Sequence, residues 1–304
     1  MKIRLEIILT VFCIVAFFSC HNDNTKNKKV IKSKSISQSL NKNNINLNIS
    51  FLLDLSDRIN PEKYSNKSME YYMRDVAYIK SVSEAFDTHL RRKKVRQMND
   101  KIQVFFDPEP QNKNINSISK SLKYNISRNN VSIELLDEIK KRYSNKPIEI
   151  YNYAINDNAY IGSDTWGFFK SKVKALCIEE EYRNILVILT DGYIYHKDYK
   201  KQENYLTTYL TPQLVRSLGL TSNNWEAKMK SKKIGYIPAT KDLHNLEILV
   251  LGINPDKKNP YEEDVIIKYL RDWFNIMDVG RYQIKTAILP SDMDKVITDF
   301  ILND

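Results

Sequence analysis

The fold is decided by residues 47–58, which read Leu-Asn-Ile-Ser-Phe-Leu-Leu-Asp-Leu-Ser-Asp-Arg. An apolar run of strand length occupies the first part of this stretch, and it stops abruptly at Asp54 and Ser56. An apolar run without polar alternation is typical of a strand that is covered on both faces, as in the parallel sheets of α/β proteins. The stretch therefore predicts a buried strand that carries oxygen-bearing side chains at its carboxyl end.

A second stretch repeats this design. Residues 185–192 read Ile-Leu-Val-Ile-Leu-Thr-Asp-Gly, so that a β-branched and leucine run ends at Thr190 and Asp191. In parallel α/β sheets the ligand crevice lies beyond the carboxyl ends of the strands. We therefore expect the polar residues that follow the two runs to share one site.

These residues resemble the metal-ion-dependent adhesion site of the von Willebrand factor A domain, which holds a divalent cation. In that family a strand ends in Asp-x-Ser-x-Ser, a later loop supplies a Thr or Ser, and another strand ends in Thr-Asp-Gly. Here Arg58 stands in the place of the last serine, and the middle loop matches residues 162–165. The resemblance implies that Mg²⁺ or another divalent cation is held by five oxygen-bearing residues, namely Asp54, Ser56, Ser163, Thr165 and Asp191.

Arg58 leaves the metal site with three alternatives. Its charge would repel a nearby cation by several kcal/mol at an effective dielectric constant of about 20. It could instead pair with Asp54 or Asp191 and replace the cation, or point outward while Asp57 supplies the missing oxygen. Because a guanidinium only donates hydrogen bonds, the ligand that the second serine of the family's motif supplies is lost at Arg58, and we expect weak metal affinity.

Both loops also have purely structural explanations. Ser163 or Asp164 is suited to cap the following helix. The Thr-Asp-Gly turn can exist because Gly192 tolerates positive φ and Asp191 can bond its own backbone.

Along the chain, apolar runs alternate with helical patterns, which predicts right-handed crossovers and an α/β fold. We expect a doubly wound, mostly parallel sheet of about six strands with helices on both faces. After the first strand, the expected strands are residues 102–106, 148–154, 184–190, 246–252 and 282–289. The expected helices are residues 68–96, 131–143, 166–180, 261–277 and 290–302, and residues 109–130 are expected to be a loop.

A long insertion, residues 193–245, follows the fourth predicted strand. It is far longer than the usual connection between a strand and the next helix, and it places several tyrosines and one tryptophan among lysines. Such a composition suits a recognition surface, since aromatic residues supply rigid contact area. The aromatics could equally pack a small core of the insertion itself. We expect the insertion to be an addition to the sheet.

The N-terminus resembles a bacterial lipoprotein signal. Residues 1–19 combine a positive start with an apolar core that is too short to span a bilayer, and Cys20 follows directly. The resemblance implies cleavage before Cys20 and attachment of lipid to it, so that the protein is anchored to a membrane of the cell envelope. A plain secretory signal or an uncleaved anchor helix are the alternatives, and all three place the domain outside the cytoplasm.

Residues 20–46 are predicted to be a disordered, basic tether that precedes the domain at residues 47–304. The net charge of the chain is +10, of which the tether supplies +5 and the domain +4. Lysines near a membrane are attracted to anionic headgroups, although they also serve simply to keep a linker solvated. We expect no nucleic-acid partner.

The motifs argue against most enzyme classes. The four histidines show no metal-ligand spacing, and neither a glycine-rich phosphate loop nor a Gly-x-Ser-x-Gly elbow occurs. The strongest enzymatic hypothesis makes Asp54 the nucleophile of a metal-dependent phosphatase with Asp191 as metal ligand, but such enzymes need a second aspartate where Ser56 stands. The sequence favours a protein-binding module of the cell envelope, and a structural domain with an inactive site is the other alternative.

Overall fold

The computed structural model describes residues 45–160 and 162–303. The predictions for the signal peptide, for Cys20 and for most of the tether therefore lie outside the described residues. The strands, in chain order, are β1 (Asn46–Leu53), β2 (Asn99–Phe105), β3 (Tyr124–Ser127), β4 (Tyr182–Leu189), β5 (Gln202–Glu203), β6 (Leu206–Thr207), β7 (Gly235–Tyr236), β8 (Leu246–Ile253) and β9 (Arg281–Thr286). The helices are α1 (Tyr71–Arg92), α2 (Lys113–Ser121), α3 (Ile133–Asp157), α4 (Thr165–Ser171), α5 (Val173–Cys177), α6 (Pro212–Ser217), α7 (Trp225–Lys232), α8 (Glu262–Ile276) and α9 (Pro290–Leu302).

The central sheet has six strands in the order β3-β2-β1-β4-β8-β9. Its neighbouring strands are parallel, except that β3 runs antiparallel to β2 at one edge. The strand order reverses between β1 and β4, which is where doubly wound sheets bind their ligands. The prediction of a mostly parallel, doubly wound α/β fold is confirmed.

Alternate residues of the central strands enter two separate hydrophobic cores. Ile49, Phe51 and Leu53 of β1 pack with α1, α3 and α9 on one face. Leu52 belongs to the other face, where α4, α5 and α8 cover the sheet. Polar side chains on β1 are paired within the protein, since Asn48 donates to the Cys177 carbonyl and to Asn184. The apolar run of β1 is thus explained by burial on both sides.

The predicted third strand is wrong. Residues 148–154 lie inside α3, because Ile150, Tyr151 and Ala154 extend the helical spacing of the buried residues at 136, 139 and 143. Pro147 lies inside this helix, which continues through it.

The third strand is instead β3, in the segment that we expected to be a loop. Only Ile126 of its four residues is buried, and this edge strand carries too few apolar residues to be read from the sequence. Helix α2 lies in the same segment and buries only Ile115, although Asn112 caps it by accepting from the backbone N–H of Asn114.

The insertion adds no strand to the central sheet, but it is more than an appendage. Strands β5, β6 and β7 form a separate small sheet. Tyr236 of β7 is 2% exposed, and its ring lies 5.1 Å from that of Tyr269 and 5.0 Å from that of Trp273, both on α8. Tyr195, Tyr199 and Tyr205 are exposed. Tyr236 thus packs into the main core and not into a separate core of the insertion, while other tyrosines of the insertion lie on the surface.

Candidate ligand-binding cleft

A cleft of about 700 Å³ lies at the carboxyl edge of the central sheet. The segments that follow β1, β4 and β8 all line it, as does the loop before α4. The side chains that line it include Ser56, Arg58, Ser163, Asp191, Tyr193 and Tyr195. Ser56 after β1 and Asp191 after β4 line the same cleft, and so does Ser163 of the loop before α4.

Asp54 lies at the base of the site. It directly follows β1, and the pairing of Leu53 with Leu189 brings it beside Thr190. Its Oδ2 accepts a hydrogen bond from the Thr190 hydroxyl at 3.0 Å, and its Oδ1 accepts from the Ser56 backbone N–H at 2.9 Å. The side chain is 3% exposed, so Asp54 holds the two strand ends together.

Arg58 points into the protein. Its Nη2 donates to Asp75 Oδ2 at 2.5 Å and to the Leu189 carbonyl at 3.0 Å, and its Nε donates to the Asp54 carbonyl at 3.1 Å. The Asp54 carboxylate is more distant, with 3.6 Å between Nε and Oδ2. Burial by itself lowers the pKa of Arg58, but Asp75 and Asp54 outweigh it and raise the pKa above its ordinary value. The outward orientation considered above is therefore wrong.

Asp75 is the partner that the sequence analysis missed. It lies on α1, is 1% exposed, and also accepts a hydrogen bond from the Tyr151 hydroxyl at 3.0 Å. Burial raises its pKa, and Arg58 opposes that rise. The signal was present, because residue 75 falls in the apolar stripe of α1 where a lone carboxylate needs a buried partner.

Asp191 follows β4 and faces the cleft. Its Oδ1 accepts from the backbone N–H of Tyr193 at 3.0 Å. Burial, together with the nearby Asp54 carboxylate, raises the pKa of Asp191 to about 7, although Arg58 lowers it. Gly192 adopts a φ of +97°, and a Cβ there would lie 2.4 Å from Ile266. The turn thus has the structural role expected of it, and it also presents an acidic side chain.

The loop before α4 provides the hydroxyl groups. Ser163 and Thr165 are both buried, and their hydroxyl oxygens lie 3.2 Å apart. Asp164 caps α4, because its Oδ1 accepts from the Gly167 backbone N–H at 2.8 Å. The capping explanation is confirmed for Asp164. The loop follows α3, not a strand as we expected.

The donor set suits a hard cation. Asp54, Asp75 and Asp191 lie near the single positive charge of Arg58, so negative charge is in excess when all three are ionised. Because the pKa of Asp191 is about 7, that carboxyl is only partly ionised at neutral pH. Carboxylate and hydroxyl oxygens are the ligands that Mg²⁺ takes in proteins. Within residues 45–160 and 162–303, no group of three His, Cys, Asp or Glu side chains is arranged to hold a metal. A cation here would depend on Ser56, Ser163 or Thr165 in addition to carboxylates.

Cys177, the cysteine of α5, plays no part in the site. It is fully buried, and burial raises the pKa of its thiol to about 12. A thiol with so high a pKa stays protonated at neutral pH, so Cys177 is suited to the core as a small apolar residue.

Comparisons with known proteins found similarity among solved structures, at low sequence identity. No family model matches the sequence, and no curated protein matches it. The pilus adhesin SpaC from Lactobacillus rhamnosus GG is 11% identical, with a TM-score of 0.41; the match covers 87% of this chain and 31% of the adhesin. An aerotolerance-related membrane protein from Bacteroides fragilis is 10% identical, with a TM-score of 0.38; the match covers 84% of this chain and 98% of that one.

The adhesin in its open conformation gives a TM-score of 0.39 at 11% identity, with 85% of this chain and 30% of the adhesin covered. The chain thus spans less than a third of the length of the adhesin. Among the residues that the structure describes, no helix is both long and apolar enough to cross a membrane.

Proposed function

We propose that the protein is a lipid-anchored module of the cell envelope whose von Willebrand factor A-like domain binds a protein partner at the cleft. The observation that carries this proposal is where the large exposed apolar side chains lie. Seven of the twelve in the described residues follow the carboxyl ends of β1, β4 and β9, namely Tyr64, Met73, Tyr195, Tyr199, Tyr205, Ile288 and Leu289. Tyr64 and Tyr195 line the cleft itself, and exposed apolar side chains beside a polar cleft are typical of an interaction surface.

Crosslinking with a matched control tests the site of binding. Tyr195 is 42% exposed beside the cleft, and Tyr153 is 37% exposed on α3. Each is replaced in turn by a photoreactive phenylalanine analogue, and the cells are irradiated. A discrete adduct should form from position 195, decrease in Asp191→Ala and be absent from position 153. An adduct from neither position, or equally from both, would favour the structural domain with an inactive site.

The anchor is tested separately. Labelled palmitate should enter the protein. Cys20→Ala should abolish both labelling and membrane retention, because the acyl chains that stable anchoring needs would be attached through Cys20. If Cys20→Ala protein stays in the membrane through a high-salt wash, an uncleaved helix is the anchor.

The proposed cofactor is a weakly held divalent cation. Asp54, Ser56, Asp191 and either Ser163 or Thr165 would hold it, and it would offer an open coordination position to the partner. Arg58 leaves room for this role, since its closest carboxylate is that of Asp75 and not that of Asp54. The cation would balance the excess of negative charge that remains.

Titration calorimetry with Mg²⁺ and Mn²⁺ tests whether the protein holds a divalent cation at this site. Weak binding heat should appear with the wild-type protein and vanish in Asp191→Asn. Heat that is absent in wild type but appears in Arg58→Ser would mean that an internal cation closes the pocket, so that the partner binds without a bridging ion.

The structure favours binding over phosphoryl transfer by Asp54. Both oxygens of its carboxylate accept hydrogen bonds within the protein, and the side chain is 3% exposed, whereas a nucleophile must reach its substrate. The purified protein should therefore release no phosphate from an aryl phosphate with Mg²⁺. Release that is lost in Asp54→Asn would reverse this conclusion.

A further inference from the structure

The positive charge of the domain is concentrated in the insertion. Residues 193–245 contain nine Lys and Arg against four Asp and Glu, a balance of +5, whereas the remainder of residues 47–304 carries −1. Without the insertion the domain would be almost neutral. A local excess of one sign steers an oppositely charged partner to that part of the surface.

Exposed tyrosines occur in the same segment. Tyr199 is 51% exposed and Tyr205 is 40% exposed. Tyr205 lies at the turn between β5 and β6, and its carbonyl accepts from the backbone N–H of Gly235 in β7. Tyr199 precedes β5, and its carbonyl accepts from the Thr208 hydroxyl just after β6. Both rings are thus carried by the small sheet.

Two lysines lie over aromatic rings of this sheet. The Nζ of Lys232 is 5.1 Å from the centre of the Tyr205 ring, and that of Lys200 is 5.1 Å from the centre of the Tyr209 ring. No Asp or Glu lies within ion-pair distance of either lysine in the part of the chain that the structure describes, although neighbouring Lys201 is paired with Glu203. We call Tyr199, Lys200, Tyr205 and Lys232 the tyrosine–lysine face. Its cations are placed by cation–π contacts and keep their charge available.

We infer that the tyrosine–lysine face binds an acidic segment of a polypeptide partner. This inference rests on the proposed function and names the chemistry of the partner. Lysines without carboxylate partners complement acidic side chains, and tyrosines combine flat contact area with a hydroxyl that donates to a carboxylate. The large exposed apolar residues of residues 193–245 are all tyrosines, so the face offers no aliphatic side chain for insertion into a lipid bilayer.

A binding assay with a defined probe tests the inference on the full protein. The probe is a fluorescein-labelled, glutamate-rich peptide of about a dozen residues, followed by fluorescence anisotropy at low salt, and the same peptide with glutamine for glutamate is the neutral reference. The double variant Lys200→Glu/Lys232→Glu should weaken binding about tenfold. The matched control is Lys140→Glu/Lys141→Glu on α3, which reverses two exposed lysines away from the face and should change binding less than about twofold.

Tyr205→Ala separates a specific face from general charge attraction, because it leaves the net charge unchanged. It should weaken binding about fivefold, in the range of a contact residue. Thermal unfolding confirms that each variant folds.

Three results would overturn the inference: an equal loss in the two lysine pairs, equal binding of the glutamine peptide, or binding to phosphatidylglycerol vesicles without binding to the glutamate peptide. The last result would assign the face to a membrane surface. If photo-crosslinking from position 195 succeeds while the lysine variants bind the probe normally, the proposed function survives and only this inference fails.

Discussion

The pKa values of buried acids at the two ends of β1 are shifted in opposite directions. At the amino end, Asp100 is fully buried and accepts from Lys93 Nζ at 2.7 Å and from the Leu47 backbone N–H at 2.8 Å, with His89 Nε2 at 3.0 Å. Burial raises its pKa, but the hydrogen bonds from His89, Leu47 and Lys93 outweigh it, so the pKa of Asp100 lies below its ordinary value.

At the carboxyl end, Asp54, Asp75 and Asp191 share the single charge of Arg58. The pKa values of Asp75 and Asp191 are raised because burial and mutual repulsion exceed the stabilisation that Arg58 provides. Asp191 and Arg58 of this group line a cleft of about 700 Å³, whereas Asp100 is enclosed. A neutralised, enclosed cluster stabilises the fold. An unbalanced cluster at a cleft costs stability, which proteins accept where a ligand is to be bound.

The largest change in the free energy of unfolding is expected at the enclosed cluster of Asp100, Lys93 and His89. Lys93→Met should lower the free energy of unfolding by about 3–5 kcal/mol, because it leaves the buried Asp100 carboxylate without its lysine partner. Urea unfolding at pH 8 measures the change, with Lys141→Met on the exposed surface of α3 as control. A loss no larger than that of the control would mean that the Lys93–Asp100 pair is not what stabilises this end of the sheet.

Arg58→Ser should cost about 3 kcal/mol, since Asp75 loses its charge partner but keeps the hydrogen bond from Tyr151. Adding Asp75→Asn should restore at least about 1 kcal/mol, because the buried charge is removed with its partner. If the two substitutions are simply additive, Arg58 and Asp75 do not act as a pair, and the assignment of Arg58 to Asp75 is wrong.

Asp191→Asn should have a smaller effect of the opposite sign. It should increase the free energy of unfolding by about 1 kcal/mol at pH 8 in the presence of chelator. The amide keeps an oxygen for the backbone N–H of Tyr193 and removes repulsion from Asp54. A decrease would show that the carboxyl edge is balanced in the folded protein and that the contrast with Asp100 does not hold.

The pH dependence of stability should also differ between the two ends of β1. Because the pKa of Asp100 is lowered, its charged form stabilises the folded state above the ordinary value of 3.8, and this is lost as the pH falls through the folded-state pKa. The stability difference between wild type and Asp100→Asn should therefore shrink on acidification. Asp75, whose pKa is raised, should give the opposite trend, with wild type losing stability relative to Asp75→Asn as the pH rises above 3.8. Urea unfolding over the acid range gives both trends, and parallel curves would contradict them.

The apolar runs and their polar ends were sufficient to predict the fold class. Continuous apolar runs are specific for strands buried on two faces, and β1, β4 and β8 lie within a few residues of their expected positions. The prediction of the third strand failed because the sequence pattern of the true strand, β3, is short and weak. β3 is four residues long at an edge, and the apolar residues before and after Pro147 read as separate elements, although they form one helix.

The sequence by itself determined which strands would end in oxygen-bearing residues, because that depends only on local pattern and on the rule that parallel strands end at the same edge. Only the tertiary structure decided what Arg58 does. Its charge is matched by Asp75, which is 17 residues away on a different element, and by the Leu189 carbonyl, which is 131 residues away. A buried charge is stabilised by whatever the fold places within about 3 Å of it, and no local pattern encodes such a contact.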